Sequence, residues 1–282
     1  MRHSPDPDLI QHLFDTAAER YEQDIVPVFA PLVADLVAFA APRKSDVALD
    51  LGTGTGVLAR ALAPYVRHVT GIDVSTGILH AARAVPTADN AWYIQADNHR
   101  LPLAANAVTL AMASFGLNAT DPAIMLPAIR RVLAPGGRLV IQEWGAAQPV
   151  DKAVGQPIRD LRVDEPGAAI EVLRERLEVG AGWDQLQDTD DYCDWLTDFG
   201  FVVEYAVESQ PVRVRLASPE VYLQYKLAWT YRRVEVDAMP PDVQATCYAR
   251  VRAALGKLSE PDGSLVWAPA LIRAVARKPE MR

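Results

Sequence analysis

The chain has 282 residues, half of them hydrophobic, 23% charged and 7% aromatic, which excludes disordered and fibrous classes and leaves room for one large domain or two modest ones. Lys plus Arg number 28 against 36 Asp plus Glu, and the net charge of −8 opposes any broad phosphate-binding face, so no nucleic-acid partner is expected. Cys193 and Cys247 lie far apart and offer neither a disulfide framework nor a metal-ligand cluster, which fits a reducing, cytoplasmic setting.

Residues 1–8 carry His, Pro and Asp where a signal peptide would carry basic and apolar regions. Residues 25–41 are the most apolar stretch, but Pro27, Pro31 and Asp35 interrupt it, so it reads as a packing helix and not as a membrane anchor. Apolar runs at 47–49, 68–72, 92–95, 108–113 and 138–142 then alternate with helical segments. The helices are 57–63, closed by Pro64; 75–84, with Ser75 as N-cap and Pro86 as stop; and 121–133. Pro135-Gly136-Gly137 forms a turn into the fifth strand. This alternation predicts an α/β, doubly wound sheet.

After Gly145 the alternation fails for about forty residues, which include an amphipathic segment at 168–177. It resumes with a helix at 188–198, ended by Gly200, and a strand at 201–207. A second interruption, 218–258, reads as two helices hinged at Pro240-Pro241, with Tyr222, Tyr225, Trp229 and Tyr231 bunched on it. A last strand follows at 271–276. The expected organisation is N-terminal helices and lid at 1–45, a cofactor-binding core at 46–145, a cap insertion at 146–187, and completion of the sheet at 188–282 around a second helical cap at about 218–258.

Asp50-Leu51-Gly52-Thr53-Gly54-Thr55-Gly56 follows the first strand directly, so a ligand there meets bare backbone at the carboxyl edge of the sheet. The dinucleotide fingerprint would need glycine at 57, where Val57 stands, which argues against the pyrophosphate loop of a nicotinamide-dependent oxidoreductase. Asp73 ends the second strand, where a carboxylate can accept both hydroxyls of a ribose. Asp97 ends the third, where it can accept from the exocyclic amine of adenine. Carboxylates at all three strand ends suit a cationic or neutral nucleoside.

At these residues, and at the run 133–141, the chain resembles the class I S-adenosylmethionine-dependent methyltransferases from about residue 14 to its end. The resemblance implies a Rossmann-like, mostly parallel seven-stranded sheet with helical cap insertions, S-adenosyl-L-methionine as cofactor and a small molecule as acceptor. It places Asp50 and the Gly52, Thr53 and Gly54 backbone near the methionine portion, and Asp73 with Val74 at the ribose. Ile78 falls against the adenine ring, Asp97 and Asn98 at the adenine edge, and Ser114 beneath the cofactor. Residues 14–21 resemble the family's N-terminal lid, whose tyrosine, here Tyr21, covers the cofactor. Residues 114–121 are similar to the fourth-strand segment of the ubiquinone/menaquinone-biosynthesis methyltransferases, although Leu117 precedes Asn118 where those enzymes usually carry Arg. The acceptor, and the choice between O-, N- and C-methylation, stay open.

Asn118, Trp144, Tyr225 and Trp229 are the substrate-lining candidates, with helical-core packing as the rival reading of the last two. His99 and Glu143 are the candidates for proton transfer, though a solvent-exposed His99 is the simpler expectation. The five histidines show no metal-ligand spacing, so no metal is expected. Alignment of acceptor and sulfonium can supply roughly 7–11 kcal/mol of the barrier, so an in-line displacement requires no single catalytic residue. The reading from another class is a cofactor-binding sensor or scaffold without turnover. A homo-oligomer is compatible with the sequence, but nothing in it specifies one.

Overall fold

The computed structural model describes residues 7–117, 120–164, 170–171, 186 and 188–280. Its strands are β1 (Val47–Leu51), β2 (His68–Asp73), β3 (Ala91–Gln95), β4 (Val108–Ser114), β5 (Leu133–Trp144), β6 (Val202–Ser209), β7 (Val214–Leu216), β8 (Leu265–Trp267) and β9 (Leu271–Arg277). A seven-stranded sheet runs in the order β3-β2-β1-β4-β5-β9-β6. The first five strands pair in parallel, and β9 runs antiparallel to both β5 and β6. The order reverses between β1 and β4, and at such a switch point the carboxyl ends of the strands open a crevice.

The central strands are buried on both faces, as their nearly unbroken apolar sequences require. One core lies under α2 (Val26–Ala40) and α3 (Val57–Leu62), taking Val69, Leu110, Met112 and Val140 from the sheet. The other lies under α5 (Pro122–Val132) and α7 (Thr189–Asp198), taking Leu49, Leu51, Ala111, Leu139 and Ile141. A buried ion pair, Arg138 Nη2 to Asp46 Oδ2 at 2.9 Å, ties the end of α2 to β5 through the Ala40 carbonyl, which Arg138 also reaches. Tyr21–Ala40 is one helix long and apolar enough by itself to cross a membrane. In the fold its Leu32, Leu36 and Val33 are buried in the first core, and Asp35 receives the Arg273 guanidinium at 2.6 Å.

The insertions gather over that first core. They comprise α6 (Pro149–Leu161), α8 (Pro219–Ala228), α9 (Thr230–Asp237), α10 (Pro241–Gly256) and the β7–β8 ribbon. Here the structure departs from the sequence reading in three places. The 218–258 segment is three helices, because Trp229 leaves helical geometry (ψ 111°) where its ring meets Tyr21 and Phe29. The three-residue strands β7 and β8 are too short to show a period. Pro135-Gly136-Gly137 bulges out within β5 instead of preceding it, held by paired backbone bonds to Lys278. Most of the amphipathic segment expected at 168–177 lies outside the described residues.

Candidate active site

The glycine loop sits at the crevice, directly after β1. Gly52 (φ +65°) packs so tightly on the segment after β4 that a Cβ there would lie 2.5 Å from Gly116 Cα. Gly54 (φ +56°) stands open to the Tyr21 hydroxyl, which would lie 3.5 Å from a Cβ at that position. The Thr53 hydroxyl donates to Asp50 Oδ2 at 2.7 Å and the Thr53 amide donates to the Ile72 carbonyl, so Asp50 does cap its own loop. Burial pushes the Asp50 carboxyl up to about 7, against the Thr53 hydroxyl and the Ala59 amide, which favour its charged form.

Asp73 accepts from the Gly54 amide at 2.9 Å and, through its other oxygen, from the Ser75 amide at 3.0 Å. Burial raises its pKa, and the Ser75, Gly54 and Val74 amides oppose that. Val74 is half-buried, its carbonyl accepting from Gln95. Ile78 is fully buried with Phe14, Ala18 and Tyr21, the latter three from the N-terminal segment. That segment is α1 (Pro7–Arg20) followed by one π-helical turn, Tyr21–Ile25. Asp15 on α1 fastens it down by accepting from the Ser75 hydroxyl and, at 2.8 Å, from the Gly77 amide at the start of α4 (Thr76–Ala84). Burial, then the charges of Asp73, Asp50 and Glu22, hold the Tyr21 phenol neutral by raising its pKa.

At the end of β3, Asp97 Oδ1 accepts from both the His99 amide and His99 Nδ1, each at 2.8 Å. His99 Nε2 in turn accepts from the Asp121 amide at 2.8 Å, so the neutral ring carries its proton on Nδ1. Its side chain is 14% exposed, and both nitrogens are committed. This corrects the expectation of a solvent-exposed histidine: His99 bridges the third strand's end to the N-terminus of α5 and offers no free base. Asn98 donates to the Gly116 carbonyl at 3.4 Å, and its buried Oδ1 has no hydrogen-bond partner among the described residues. Ser114 accepts from Gln142, whose own oxygen holds Arg273.

Beside the loop the structure assembles rings from distant segments. Phe115 follows Ser114 with φ +58°, a left-handed conformation that a bulky residue adopts at a cost of about 1–3 kcal/mol and that clusters at functional sites. Its ring stacks on Trp144 at 4.0 Å, and Phe29 of α2 touches Phe115, Trp144, Tyr225 and Trp229 at 4.8 to 6.4 Å. Tyr21 meets Trp229 edge-on at 5.9 Å, which closes the ring wall over the loop. Three of the expected lining residues, Trp144, Tyr225 and Trp229, thus come together. Asn118 lies outside the described residues. Glu143 is buried on β5, where strand alternation sets it on the face of Leu139 and Ile141, opposite Trp144. Sequence reading gave no individual role to Asp15, Phe29, Phe115 or Gly116; Asp15 lay in the segment 14–21 and Phe115-Gly116 in the segment 114–121 that the resemblance marked, whereas Phe29 carried no local signal. Among the described residues no cluster of His, Cys, Asp and Glu could hold a metal ion.

The family model described as "Methyltransferase domain" matches residues 49–141, which spans the loop and all three carboxylates. A demethylmenaquinone methyltransferase of Clavibacter sepedonicus is 33% identical over 173 residues, covering 57% of this chain and 67% of that protein. A ubiquinone/menaquinone biosynthesis C-methyltransferase of Bdellovibrio bacteriovorus is 31% identical over 152 residues, covering 51% and 65%. The matched stretch thus spans about two thirds of these relatives. Among solved structures, the geranyl diphosphate C-methyltransferase of Streptomyces coelicolor, in complex with S-adenosyl-L-homocysteine, superposes with a TM-score of 0.51 at 14% identity, covering 93% of this chain and 83% of that one. An S-adenosylmethionine-dependent methyltransferase of Mesorhizobium loti has a TM-score of 0.50 at 20% identity, covering 86% and 95%. At these identities the likeness is one of fold.

Proposed function

The chain belongs to the class I S-adenosylmethionine-dependent methyltransferases, and on that premise we propose that it methylates a small, apolar, ring-bearing acceptor by in-line displacement at the sulfonium. It is an enzyme of that class with S-adenosylmethionine as its cofactor. The observation that carries the acceptor reading is the wall formed by Phe29, Phe115, Trp144, Tyr225 and Trp229 beside the glycine loop. These rings pack on one another and leave an apolar edge with few competing polar groups beside the loop, which favours an aromatic guest over a sugar or an amino acid. The relatives named for demethylmenaquinone and ubiquinone/menaquinone methylation support a hydroquinone-like carbon acceptor.

In this reading Asp50 and the backbone of Gly52, Thr53 and Gly54 take the methionine end. Asp73 and Val74 take the ribose, Ile78 and Tyr21 bracket the nucleoside, and Asp97 and Asn98 meet the adenine edge. The orphaned Asn98 Oδ1 suits a donor such as the adenine amine. Ser114 sits below, anchored through Gln142. Bound S-adenosylmethionine supplies an activated methyl group on a good leaving group; the protein aligns the acceptor and excludes water. Tyr21 serves the latter, since Asp15 and Trp229 hold its helix across the loop.

The test is methyl transfer from labelled S-adenosylmethionine to reduced demethylmenaquinone analogues and to a panel of phenols and amines. Product methylated at a ring carbon is the expected result. Transfer confined to amines would overturn the acceptor reading.

A further inference from the structure

A cation stands inside the aromatic wall. Lys226 on α8 is 7% exposed, with Nζ 5.3 Å from the Tyr222 ring centroid, 5.4 Å from Tyr225, 5.7 Å from Trp267 and 6.0 Å from Trp144. Its ion-pair partner is Asp151 Oδ1 at 2.7 Å, an oxygen that also accepts from the Tyr222 hydroxyl at 2.6 Å. Asp151 is itself fixed, because it closes the capping box at the start of α6. An ammonium carries three N–H groups, so one carboxylate leaves donors turned toward the rings.

Two positive charges act there against one negative. Burial first, then the charge of Arg232 on α9, lower the Lys226 pKa to about 8, while Asp151 on α6 raises it. Its own helix contributes the neutral phenols Tyr222 and Tyr225, whose pKa values burial raises; β5 and β8 contribute the rings of Trp144 and Trp267. A chain of contacts links the cation to the loop. Trp144 stacks on Phe115, the neighbour of Gly116, and Gly116 packs against Gly52.

Resting on the reading that the loop holds S-adenosylmethionine, we propose that Lys226 binds the ionised hydroxyl of a flat aromatic acceptor, a phenol or enol held against the edge of this ring cluster. Asp151 and Tyr222 then act as positioning residues that aim the ammonium. Apolar surroundings alone would keep an acidic hydroxyl protonated, and a buried ammonium reverses that preference. The anion is the more nucleophilic form at oxygen and at the ring carbons conjugated with it, which is what methyl transfer requires.

The experiment uses 4-nitrophenol, whose ionised form is coloured, with nitrobenzene as its uncharged counterpart, on the full chain saturated with S-adenosylhomocysteine. Wild type is expected to lower the ionisation midpoint of the bound phenol by about one unit or more and to bind it at least about tenfold tighter than nitrobenzene at neutral pH. In Lys226→Met the midpoint shift and the preference disappear, while nitrobenzene and S-adenosylhomocysteine bind as in wild type. In Asp151→Asn the midpoint shift shrinks towards that of Lys226→Met, since the charge that keeps the buried ammonium protonated is gone. The proposal is overturned if Lys226→Met retains the wild-type midpoint, or if wild type shows no preference for the phenol, including binding neither probe. The wild-type comparison alone decides this if the variant does not fold. Failure of wild type to bind S-adenosylhomocysteine would instead overturn the cofactor reading, and this proposal with it.

Discussion

Asp50 should make cofactor binding proton-linked. The residue is 1% exposed, and burial lifts its pKa from 3.8 to about 7. A shift of roughly three units corresponds to about 4 kcal/mol of preference for the protonated form in the folded protein. The native state therefore binds this proton more tightly than the unfolded chain, and the stability of the ligand-free protein falls as pH rises from about 4 through about 7. A ligand that brings an ammonium to the carboxylate favours the ionised form and expels the proton. At pH 6.5 a midpoint near 7 leaves about three quarters of Asp50 protonated, so binding should release roughly half to three quarters of a proton. S-adenosylhomocysteine has the same ammonium as the methyl donor and does not react. Calorimetry with it in buffers of different ionisation enthalpy reads the release directly. We expect that value at pH 6.5, almost none at pH 8.5, and none at either pH in Asp50→Asn. Ligand-free Asp50→Asn should also melt above wild type at pH 8 but not at pH 5. Equal proton release from wild type and Asp50→Asn at pH 6.5 would refute the reasoning.

Three other substitutions probe the neighbouring geometry. Gly52→Ala must place a side chain at φ +65° and 2.5 Å from Gly116 Cα, so we expect a loss of about 2–4 kcal/mol in chemical denaturation; a wild-type midpoint would show that the two segments can separate. His99→Ala strips partners from Asp97 and from the Asp121 amide, which should lower stability by about 1–3 kcal/mol and weaken S-adenosylhomocysteine binding while the pH profile of turnover keeps its shape. A lost limb in that profile would make His99 an acid or base after all. Asp15→Ala removes the acceptor that caps α4 from α1, a loss of about 1 kcal/mol, and stopped-flow fluorescence should show S-adenosylhomocysteine leaving several-fold faster. An unchanged release rate would mean that the Tyr21 segment is not held by this contact.

The loop and strand-end geometry of the proposed cofactor half was legible because its signals are local. Asp50 and the three glycines alternate within seven consecutive residues, Asp73 and Asp97 each follow an apolar run, and Ser75 caps its helix by accepting from the Ile78 amide as its position suggested. Strands buried on both faces carry their own evidence in unbroken apolar sequence. The acceptor half has no such signature. Phe29, Phe115, Trp144, Trp229 and Trp267 come from five separated segments; Trp144 and Trp229 are lining candidates from the sequence, whereas Phe29, Phe115 and Trp267 each alone read as ordinary packing. Trp229 shows why propensity fails there: nothing in Leu227-Ala228-Trp229-Thr230 breaks a helix, and the break arises because the ring is held by Tyr21 and Phe29. Lys226 was invisible for the same reason, since a lysine between Tyr225 and Leu227 on a helix is by default a solvated one. Only the arrival of Asp151 from α6 and of the Trp144 and Trp267 rings from the sheet and ribbon makes its burial tolerable. Groups that we assign to the cofactor are therefore set by strand ends, which sequence marks. Groups that we assign to the acceptor are set by how the insertions fold over α2, which is where relatives sharing this loop can differ in what they methylate.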